Sequence, residues 1–499
     1  MSEEFEYYLE DDSRRGPTTA GGHVGVAGGA PCGDVVRVSL RLVDGRVGEA
    51  RFDAEGCTAA IAAGAATADA VEGRAVLDAA RLAPADVAGA LGGLSPQGRH
   101  GAELATDALH RALTNAIACD TQLVPRERRP ARDPAAPGRA AEEAAGLVLV
   151  ALSGGVDSAV AAWLERQRGA DVIAVTVKLW ADRGTDGTRS CCSPEAVLGA
   201  RTLAHSIGIP HLTMDLEHAF RTTVVDHFLA GHAEGRTPNP CVRCNGHVRL
   251  DAMADLADRL GAGGLATGHY ARVADDGDGP VLVAPADRAK DQTYMLSAVS
   301  PRTLARLRFP LAALTKGDVR RVAADAGLPV ASKPESQDLC FLAGQGKLSF
   351  LARHAGLADR EGEIVDRSGR VLGRHGGHHR FTVGQRRGLG LAAPEPMYVL
   401  ETDAASNRVV VGARDELETR RVVVRDAVLR RDGDRVDRVR LRYHSRPLAC
   451  TVHTGGSPLR AGRHDEVVVR LEEPVAGAAP GQTASLLAGE AVVGHGTIA

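Results

Sequence analysis

One stretch, Leu147–Leu164 (LVLVALSGGVDSAVAAWL), constrains the fold of this chain more than any other. It opens with an apolar run of the length of a buried parallel strand and ends in an alanine-rich run typical of a helix. Between them lie Ser153, Gly154, Gly155, Val156, Asp157 and Ser158. Glycines let the backbone approach a ligand closely, and the free N–H groups at a helix N-terminus favour an anion. The stretch therefore predicts a phosphate-binding turn, with a plain tight turn capped by serines as the alternative.

The turn is not the nucleotide loop that ends in Gly-Lys, because no lysine follows its glycines. Its sequence resembles the PP-loop of the ATP pyrophosphatases, enzymes that cleave ATP to AMP and pyrophosphate. The resemblance implies ATP and Mg²⁺ as cofactors, with Ser153 to Ser158 around the phosphates. It also implies that Val177 and Gly268 contact the nucleotide. We expect Asp157 to help place Mg²⁺ or to order the loop, because a carboxylate aimed at phosphate would repel it.

Composition sets limits on what the chain does. Its 499 residues suffice for several domains, and a formal net charge of −3 means that any RNA-binding surface must be a local patch. The acidic N-terminal stretch MSEEFEYYLEDDSRR is unlike a signal peptide, and no apolar run reaches the roughly 18 residues of a membrane span. Nine cysteines in such a chain favour cytoplasmic thiol or metal chemistry over a disulfide framework.

The chain is expected to be multidomain. Strands that alternate with helices after Leu147 predict a Rossmann-like α/β domain with a parallel sheet, which binds ligands at the carboxyl ends of its strands. Short alternating strands from Arg420 onward predict a C-terminal β-barrel. The expected segments are a flexible tail (1–25), an α+β domain (26–120), a linker (121–145), the PP-loop domain (146–345), a small central β-containing domain (346–415) and the barrel (416–499).

The front domain begins with a pattern that alternates apolar and polar residues around Asp44-Gly45, which predicts a β-hairpin, and helical stretches follow. A cysteine lies on each side of the hairpin. This arrangement resembles the iron–sulfur scaffold family of IscU and the NifU N-terminal domain, but the third cysteine of that family is missing after its histidine. The candidate ligands of an iron–sulfur cluster or another metal are Cys32, Asp34, Cys57 and His100. A scaffold fold that is kept only for docking, with buried thiols, is the alternative.

Several later motifs together resemble the tRNA-specific 2-thiouridylases of the MnmA type, and the resemblance covers residues 147–499. They are TPNPCVRCN (237–245), ATGHY and KDQTYML (266–296), SQDLCF (336–341), FTVGQRRGLG (381–390), RYHSRP (442–447) and PVAGAAPGQ (474–482). The resemblance implies an enzyme that adenylates C2 of the wobble uridine U34 and replaces its oxygen with sulfur, giving 2-thiouridine, AMP and pyrophosphate. Its expected partners are tRNAs for Lys, Glu and Gln, and a cysteine desulfurase or sulfur-relay donor.

The resemblance also implies how sulfur is handled. Cys340 would carry a persulfide, and Cys244 would be the nucleophile that resolves the intermediate and leaves a Cys244–Cys340 disulfide. Many family members carry Asp where this chain has Cys241. With that third thiolate, the alternative is a [4Fe–4S] cluster held by Cys241, Cys244 and Cys340. Thiolates need an electropositive setting, and Lys333 is expected nearby from the sequence.

Contacts with tRNA are expected from the same resemblance. Asn239, Pro240 and Cys241 would touch the target base, which must be splayed out of its loop to be reached. The C-terminal barrel would contribute to the tRNA-contacting surface, and Tyr443 is the candidate stacking ring. The other residues expected to contact tRNA are His269, Lys290, Asp291, Gln292, Arg442 and Gln482.

Two other functions are compatible with parts of the sequence. Another PP-loop ligase would use the same ATP chemistry, but it leaves the separated Cys244 and Cys340 unexplained. A non-catalytic iron–sulfur scaffold or carrier would use the front domain alone and would have no need of the intact turn at Ser153.

Overall fold

The structure, a computed structural model, describes residues 2–18, 21–29, 33–119, 146–180, 193–334, 339–342, 345–454 and 458–499. Cys32 and the expected linker at 121–145 lie outside these residues.

The front domain is an antiparallel sheet covered by helices. Its elements are α1 (Glu3–Glu10), β1 (His23–Gly28), β2 (Val35–Val43), β3 (Arg46–Glu55), α2 (Thr58–Val71), α3 (Val76–Ala79), α4 (Pro84–Ala90) and α5 (Arg99–Cys119). The sheet order is β1-β2-β3. The predicted hairpin is confirmed: Asp44 and Gly45 both have positive φ, 49° and 73°, as its tight turn requires.

The expected flexible tail at residues 1–25 is wrong. Ser2 caps α1 by accepting a hydrogen bond from the Phe5 backbone N–H at 3.1 Å, and the Ser2 hydroxyl donates to the Leu91 carbonyl at 2.7 Å. Phe5 is buried in the core of the domain. Tyr8 and Leu9 pack against the same core, so three residues dock this acidic helix, a signal that the polar composition concealed.

The PP-loop domain contains the predicted parallel sheet. Its strands are β4 (Leu147–Ala151), β5 (Asp171–Lys178), β6 (His211–Asp215), β7 (Gly264–Ala266), β8 (Arg272–Asp275), β9 (Pro280–Val283) and β10 (Leu307–Arg308). Its helices are α6 (Val156–Gln167), α7 (Pro194–Ser206), α8 (Glu217–Phe220), α9 (Asp226–Ala233), α10 (Pro240–Cys244), α11 (Leu250–Leu260), α12 (Pro301–Leu304), α13 (Lys316–Asp325) and α14 (Lys347–Ala355). The parallel sheet has the order β10-β7-β4-β5-β6. Short π-helical turns lie at Arg221–Val225 and Asn245–Arg249.

The remaining domains are all-β. The central sheet has the order β12-β11-β14-β13, formed by β11 (Gly362–Val365), β12 (Val371–His375), β13 (Tyr398–Asp403) and β14 (Arg408–Gly412). The last strands are β15 (Glu418–Leu429), β16 (Arg438–Arg440), β17 (Leu448–His453), β18 (Gly462–Ala476), β19 (Thr483–Ala488) and β20 (Ala491–Ile498). They form the predicted barrel in the order β15-β18-β17-β16-β19-β20, and β20 closes it by pairing with β15. Short 3₁₀ turns lie at Arg288–Lys290, His378–Arg380, Asp415–Leu417 and Gly433–Arg435.

The barrel is joined to the PP-loop domain by a hairpin that the sequence did not reveal. Strands β8 and β9 leave the PP-loop domain, and β9 pairs with β20 through Leu282 and Val492. Cys450, which lies in β17, is buried in the barrel core, and burial raises the pKa of its thiol to about 12. None of the described helices combines the length and apolarity needed to cross a membrane.

The front domain and the PP-loop domain share a buried interface. Arg201 of α7 donates from Nη1 to Asp107 of α5 at 3.0 Å, and its side chain is only 7% exposed. Arg259 donates to the Ile117 carbonyl at 2.6 Å, and the His205 ring nitrogen lies 3.2 Å from the Ala80 carbonyl. Apolar residues from both domains belong to one core. The two domains therefore pack as one body at this face.

We predict that Asp107→Ala destabilises the whole PP-loop domain. The substitution leaves the buried Arg201 guanidinium without its carboxylate, which costs about 3 kcal/mol of unfolding free energy. The free energy of unfolding is measured in urea, with one spectroscopic probe in the PP-loop domain and one in the front domain. The matched control is Arg111→Ala, which removes the exposed partner of the same carboxylate and should cost less than about 1 kcal/mol. Equal costs would contradict the role given to the buried pair.

Candidate active site

The turn after β4 has the geometry that its sequence predicts. Gly154 has φ +71°, a left-handed conformation that favours glycine, and Gly155 caps the N-terminus of α6. The Ser158 hydroxyl accepts from the Ser153 backbone N–H at 3.1 Å and donates to the Gly155 carbonyl at 3.0 Å. The turn is thus closed by its own serine, and the helix N-terminus behind it favours an anion.

Gly268, which follows β7, allows the loop after that strand to pack closely against this turn. A Cβ atom at this position would lie 2.7 Å from both the Asp157 carbonyl carbon and the Ser158 backbone nitrogen. The loop after β7 therefore presses directly on the start of α6. Gly268 and Val177, the two residues expected to contact the nucleotide, line one cavity of about 230 Å³ together with Ser153 and Ser158.

Asp157 is held by residues from two other parts of the chain. Its carboxylate accepts from Lys316 Nζ at 2.6 and 2.7 Å and from the Tyr270 hydroxyl at 3.0 Å. These bonds order the loop, which is one of the two roles expected for Asp157. Lys316 and Tyr270 had no assigned role in the sequence, because they lie more than a hundred residues from the turn.

Lys333 does not fit the position expected for it beside the cysteines. Its ammonium group donates to the Gly154 carbonyl at 2.9 Å. The ammonium groups of Lys316 and Lys333 therefore both lie at the turn from Ser153 to Ser158, which is expected to bind phosphate. A cavity of about 500 Å³ beside the turn is lined by Asp157, Lys316, Lys290 and Tyr443.

The second motif, NPCVRC, forms the start of a helix. The Asn239 side chain accepts from the backbone N–H groups of Cys241 and Val242 at 3.1 and 3.2 Å, and Pro240 occupies the first helical position. Asn239 is therefore an N-cap. It fixes α10 so that both cysteines of the motif face the same cavity.

Cys241, Cys244 and Cys340 line one cavity of about 330 Å³, although Cys340 is almost a hundred residues further along the chain. Cys244 is buried, while Cys241 and Cys340 are partly accessible. Burial raises the pKa of Cys241, and the nearby charge of Arg249 opposes that shift. Among the described residues, no three His, Cys, Asp or Glu side chains are placed to hold one metal ion. The three thiols thus share one cavity, which both the persulfide route and the cluster route require.

The cavity lined by Gly268 and Val177 is here called the nucleotide cavity, after its expected ligand, and the cavity lined by the three cysteines is called the cysteine cavity. The two cavities share a wall. The residues that line both are Leu179, Arg249, His269 and Gln292. His269 Nε2 lies 3.1 Å from Arg249 Nη2, and His269 Nδ1 lies 2.9 Å from the Thr267 hydroxyl. Because arginine can only donate, Nε2 must accept and the ring proton sits on Nδ1. Burial, with the Arg249 charge, lowers the pKa of His269 to about 3, so the ring is neutral.

The residues expected to contact tRNA fall into two groups. Tyr443 faces both the cysteine cavity and the cavity beside the turn, and Arg442 next to it is exposed. Asp291 is buried against Arg440 at 2.7 Å, and Gln482 donates to the Thr237 carbonyl at 2.6 Å. The first two are open to a ligand, whereas Asp291 and Gln482 connect the PP-loop domain to the barrel.

In the front domain the structure brings Asp34 and Cys57 together. The Cys57 thiol and backbone N–H both donate to the Asp34 carboxylate, at 3.1 and 2.8 Å. Burial and this carboxylate raise the pKa of Cys57. His100 lies in the first turn of α5 and is 3.7 Å from Glu103.

Comparisons with known proteins agree with this order of domains. The family models that match are NifU-like N terminal domain (6–118), tRNA methyl transferase HUP domain (147–344), tRNA methyl transferase PRC-barrel domain (348–413) and aminomethyltransferase beta-barrel domain (430–498). The bifunctional protein NifU/MnmA of Rubrobacter xylanophilus is 48% identical over 483 residues, which are 95% of this chain and 94% of that protein. This chain belongs to the NifU/MnmA family.

Other relatives match the part after the front domain. A tRNA-specific 2-thiouridylase MnmA of Acidithiobacillus ferrooxidans is 44% identical over 356 residues, 70% of this chain and 97% of the relative. The solved structure of the U34-tRNA thiolase NcsA of Methanococcus maripaludis with its [4Fe-4S] cluster is 18% identical. It covers 43% of this chain and 65% of that one with a TM-score of 0.26, a likeness too slight to bear on the site.

We predict that Gly268→Ala weakens ATP binding by at least about tenfold, because the added methyl group must push the turn away from the nucleotide cavity. Equilibrium binding of ATP measures this. Gly263→Ala is the matched control, since a Cβ there meets nothing within 4 Å and the glycine precedes the same strand. Unchanged binding in Gly268→Ala would show that the turn does not carry the nucleotide.

Proposed function

We propose that this protein is a tRNA-uridine 2-sulfurtransferase that makes 2-thiouridine at the wobble position. The observation that carries the proposal is the wall shared by the nucleotide cavity and the cysteine cavity. A base held at this wall would face the α-phosphate of ATP on one side and the three thiols on the other. The names of the relatives support the same reaction.

Activation by ATP answers a chemical need. The C2 oxygen of uracil is a poor leaving group, and adenylation converts it into the leaving oxygen of AMP. We infer that the turn from Ser153 to Ser158 holds the phosphates of ATP, with Lys316 and Lys333 toward the departing pyrophosphate. Mg²⁺ would supply further positive charge to the phosphates held by this turn. The pairing of Asp157 with Lys316 supports a loop-ordering role for this carboxylate.

The base must leave its stack to reach the shared wall. We infer that it enters beside Asn239, Pro240 and Cys241, with Tyr443 as the stacking ring, since this ring borders both cavities on that side. Lys290, His269 and Gln292 would complete the RNA surface near the base, and Arg442 would contact the backbone. Asp291 and Gln482 would act indirectly, by holding the barrel in place. The expected substrates are the tRNAs for Lys, Glu and Gln.

We infer that sulfur is supplied as a persulfide, because this route needs only the two thiols of Cys340 and Cys244. A cysteine desulfurase or relay protein would load a sulfane sulfur on Cys340. The terminal sulfur attacks the adenylated C2, forming a C–S bond as the C2–O bond breaks and AMP leaves. The Cys244 thiolate then attacks the Cys340 sulfur, so that the sulfane sulfur is reduced and released as 2-thiouridine. The two thiols are oxidised to a disulfide, which an external thiol reduces before the next turnover.

The front domain is proposed to handle sulfur or iron for this reaction. Asp34 and Cys57 lie together as expected for the scaffold family, but the pKa of Cys57 is raised, so the thiol is protonated unless a metal or partner draws off its proton. The tRNA substrate points to the cytoplasm.

We predict that Cys340→Ala lowers thiolation of tRNA by more than about 10³-fold, because no sulfur can be carried to C2. Tandem mass spectrometry of digested tRNA, with a desulfurase and cysteine as donor, measures 2-thiouridine directly. ATP binding should persist in the variant. Cys119→Ser, which changes an exposed thiol of the front domain, is the control. Thiolation by Cys340→Ala at the rate of the unaltered protein would refute the role given to this sulfur.

Cys241 separates the persulfide route from the cluster route. We predict that Cys241→Ser keeps thiolation within about tenfold of the unaltered protein, because the persulfide route needs only two thiols. Iron and acid-labile sulfide are measured on the anaerobically purified full chain at the same time. Loss of iron together with loss of thiolation in Cys241→Ser would establish the cluster instead.

A further inference from the structure

Arg249 occupies a position that the sequence motifs did not single out. It is the last residue of the π-helical turn Asn245–Arg249, between α10 with its cysteines and α11. A π-helical turn inserts an extra residue into a helix and is frequently found at functional sites. Here the turn allows Cys244 to face the cysteine cavity while Arg249 borders that cavity and the nucleotide cavity together.

The guanidinium group of Arg249 is held in place by neutral groups. Its Nη2 donates to the Asn245 side-chain oxygen at 2.6 Å and to the neutral His269 ring at 3.1 Å. Asn245 is fixed in turn by a bond to the Met295 carbonyl at 3.0 Å, and His269 by Thr267. These contacts orient the group but contribute no negative charge.

The positive charge of Arg249 is consequently unbalanced. Its side-chain partners in the described part of the chain are Asn245 and His269 and include no carboxylate, and its buried Nε has no hydrogen-bond partner there. Arg249 is half-buried at the wall shared by the two cavities, and a partly desolvated cation without a counter-ion favours an anion beside it. Of the other cations near the turn, Lys316 is paired with the Asp157 carboxylate and Lys333 donates to the Gly154 carbonyl, so both lie at the turn and not at the shared wall.

We propose that Arg249 is a catalytic residue that contacts the α-phosphoryl group as it passes from ATP to the base, with His269 as its positioning residue. The inference rests on the proposed function and deepens it. It assigns the two ends of the triphosphate to different cations. Lys316 and Lys333 at the turn would face the β- and γ-phosphates, which leave as pyrophosphate. Arg249 at the shared wall would face the α-phosphate, which is transferred to the base.

The charge on the α-phosphoryl oxygens has to be countered in two steps. In the first, uracil O2 forms a bond to the α-phosphorus as the bond to the β-phosphate oxygen breaks, pyrophosphate leaves, and the N3 proton is lost to water. In the second, sulfur attacks C2, the C2–O2 bond breaks, and AMP departs with O2. N3 regains a proton when the thiocarbonyl forms. A planar group with several donors matches a phosphoryl group that keeps its charge throughout.

The test is to compare three variants of the full chain: Arg249→Gln, Arg249→Lys and, as control, Arg302→Gln, whose exposed guanidinium pairs with Asp255 and Asp258 on α11. The rate of tRNA-dependent pyrophosphate release should fall about 10²-fold in Arg249→Gln, the usual effect of removing one donor to a developing charge. Arg249→Lys should recover part of the rate. Arg302→Gln should match the unaltered protein.

Binding and stability measurements complete the test. The proposal expects Kd values for ATP and tRNA within about threefold of the unaltered protein, and unchanged thermal unfolding, so that the loss lies in kcat. Full activity in Arg249→Gln overturns the proposal, and so does a loss confined to tRNA affinity, which would make Arg249 an RNA contact. If the unaltered protein itself releases no pyrophosphate with tRNA, the proposed function fails instead, so the two failures are distinct.

Discussion

The Asp157 carboxylate is the contact on which the rest of the site depends. It joins the start of α6 to Tyr270 after β7 and to Lys316 at the start of α13. Without it, the helix N-terminus, the neighbouring loop and an ammonium group would have no common anchor. Gly268 adds a steric condition, since only a residue without Cβ lets the β7 loop come this close. The cavity proposed for the nucleotide is lined by the turn and by this loop.

A second set of contacts holds the barrel against this site. The Tyr294 hydroxyl donates to the Thr483 carbonyl at 2.8 Å, and Arg440 donates to Asp291 at 2.7 Å. These bonds lie on the side of the barrel where Tyr443 reaches both cavities. Under the proposed function, Asp291 would support RNA recognition without touching RNA, because its bond to Arg440 holds the domain that carries Tyr443.

The features that could be predicted from the sequence are those formed by residues that are neighbours in the chain. The turn at Ser153–Ser158 and the Asp44-Gly45 hairpin each follow from local rules, and the structure has both. The parts that it did not predict join distant residues. Lys333 was expected beside the cysteines but bonds to Gly154, and the role of Arg249 depends on a π-helical turn that no composition rule signals.

The placement of the front domain bears on how sulfur reaches Cys340. Helix α5 carries His100 in its first turn and contacts Arg259 through Ile117 near its other end, about 25 Å away at 1.5 Å per residue. Its middle is fixed to α7 through the buried pair of Asp107 and Arg201. A domain fixed in this way does not swing like one on a flexible tether. Sulfur transfer between Cys57 and Cys340 of one chain would therefore have to occur without a swing of the front domain about this face.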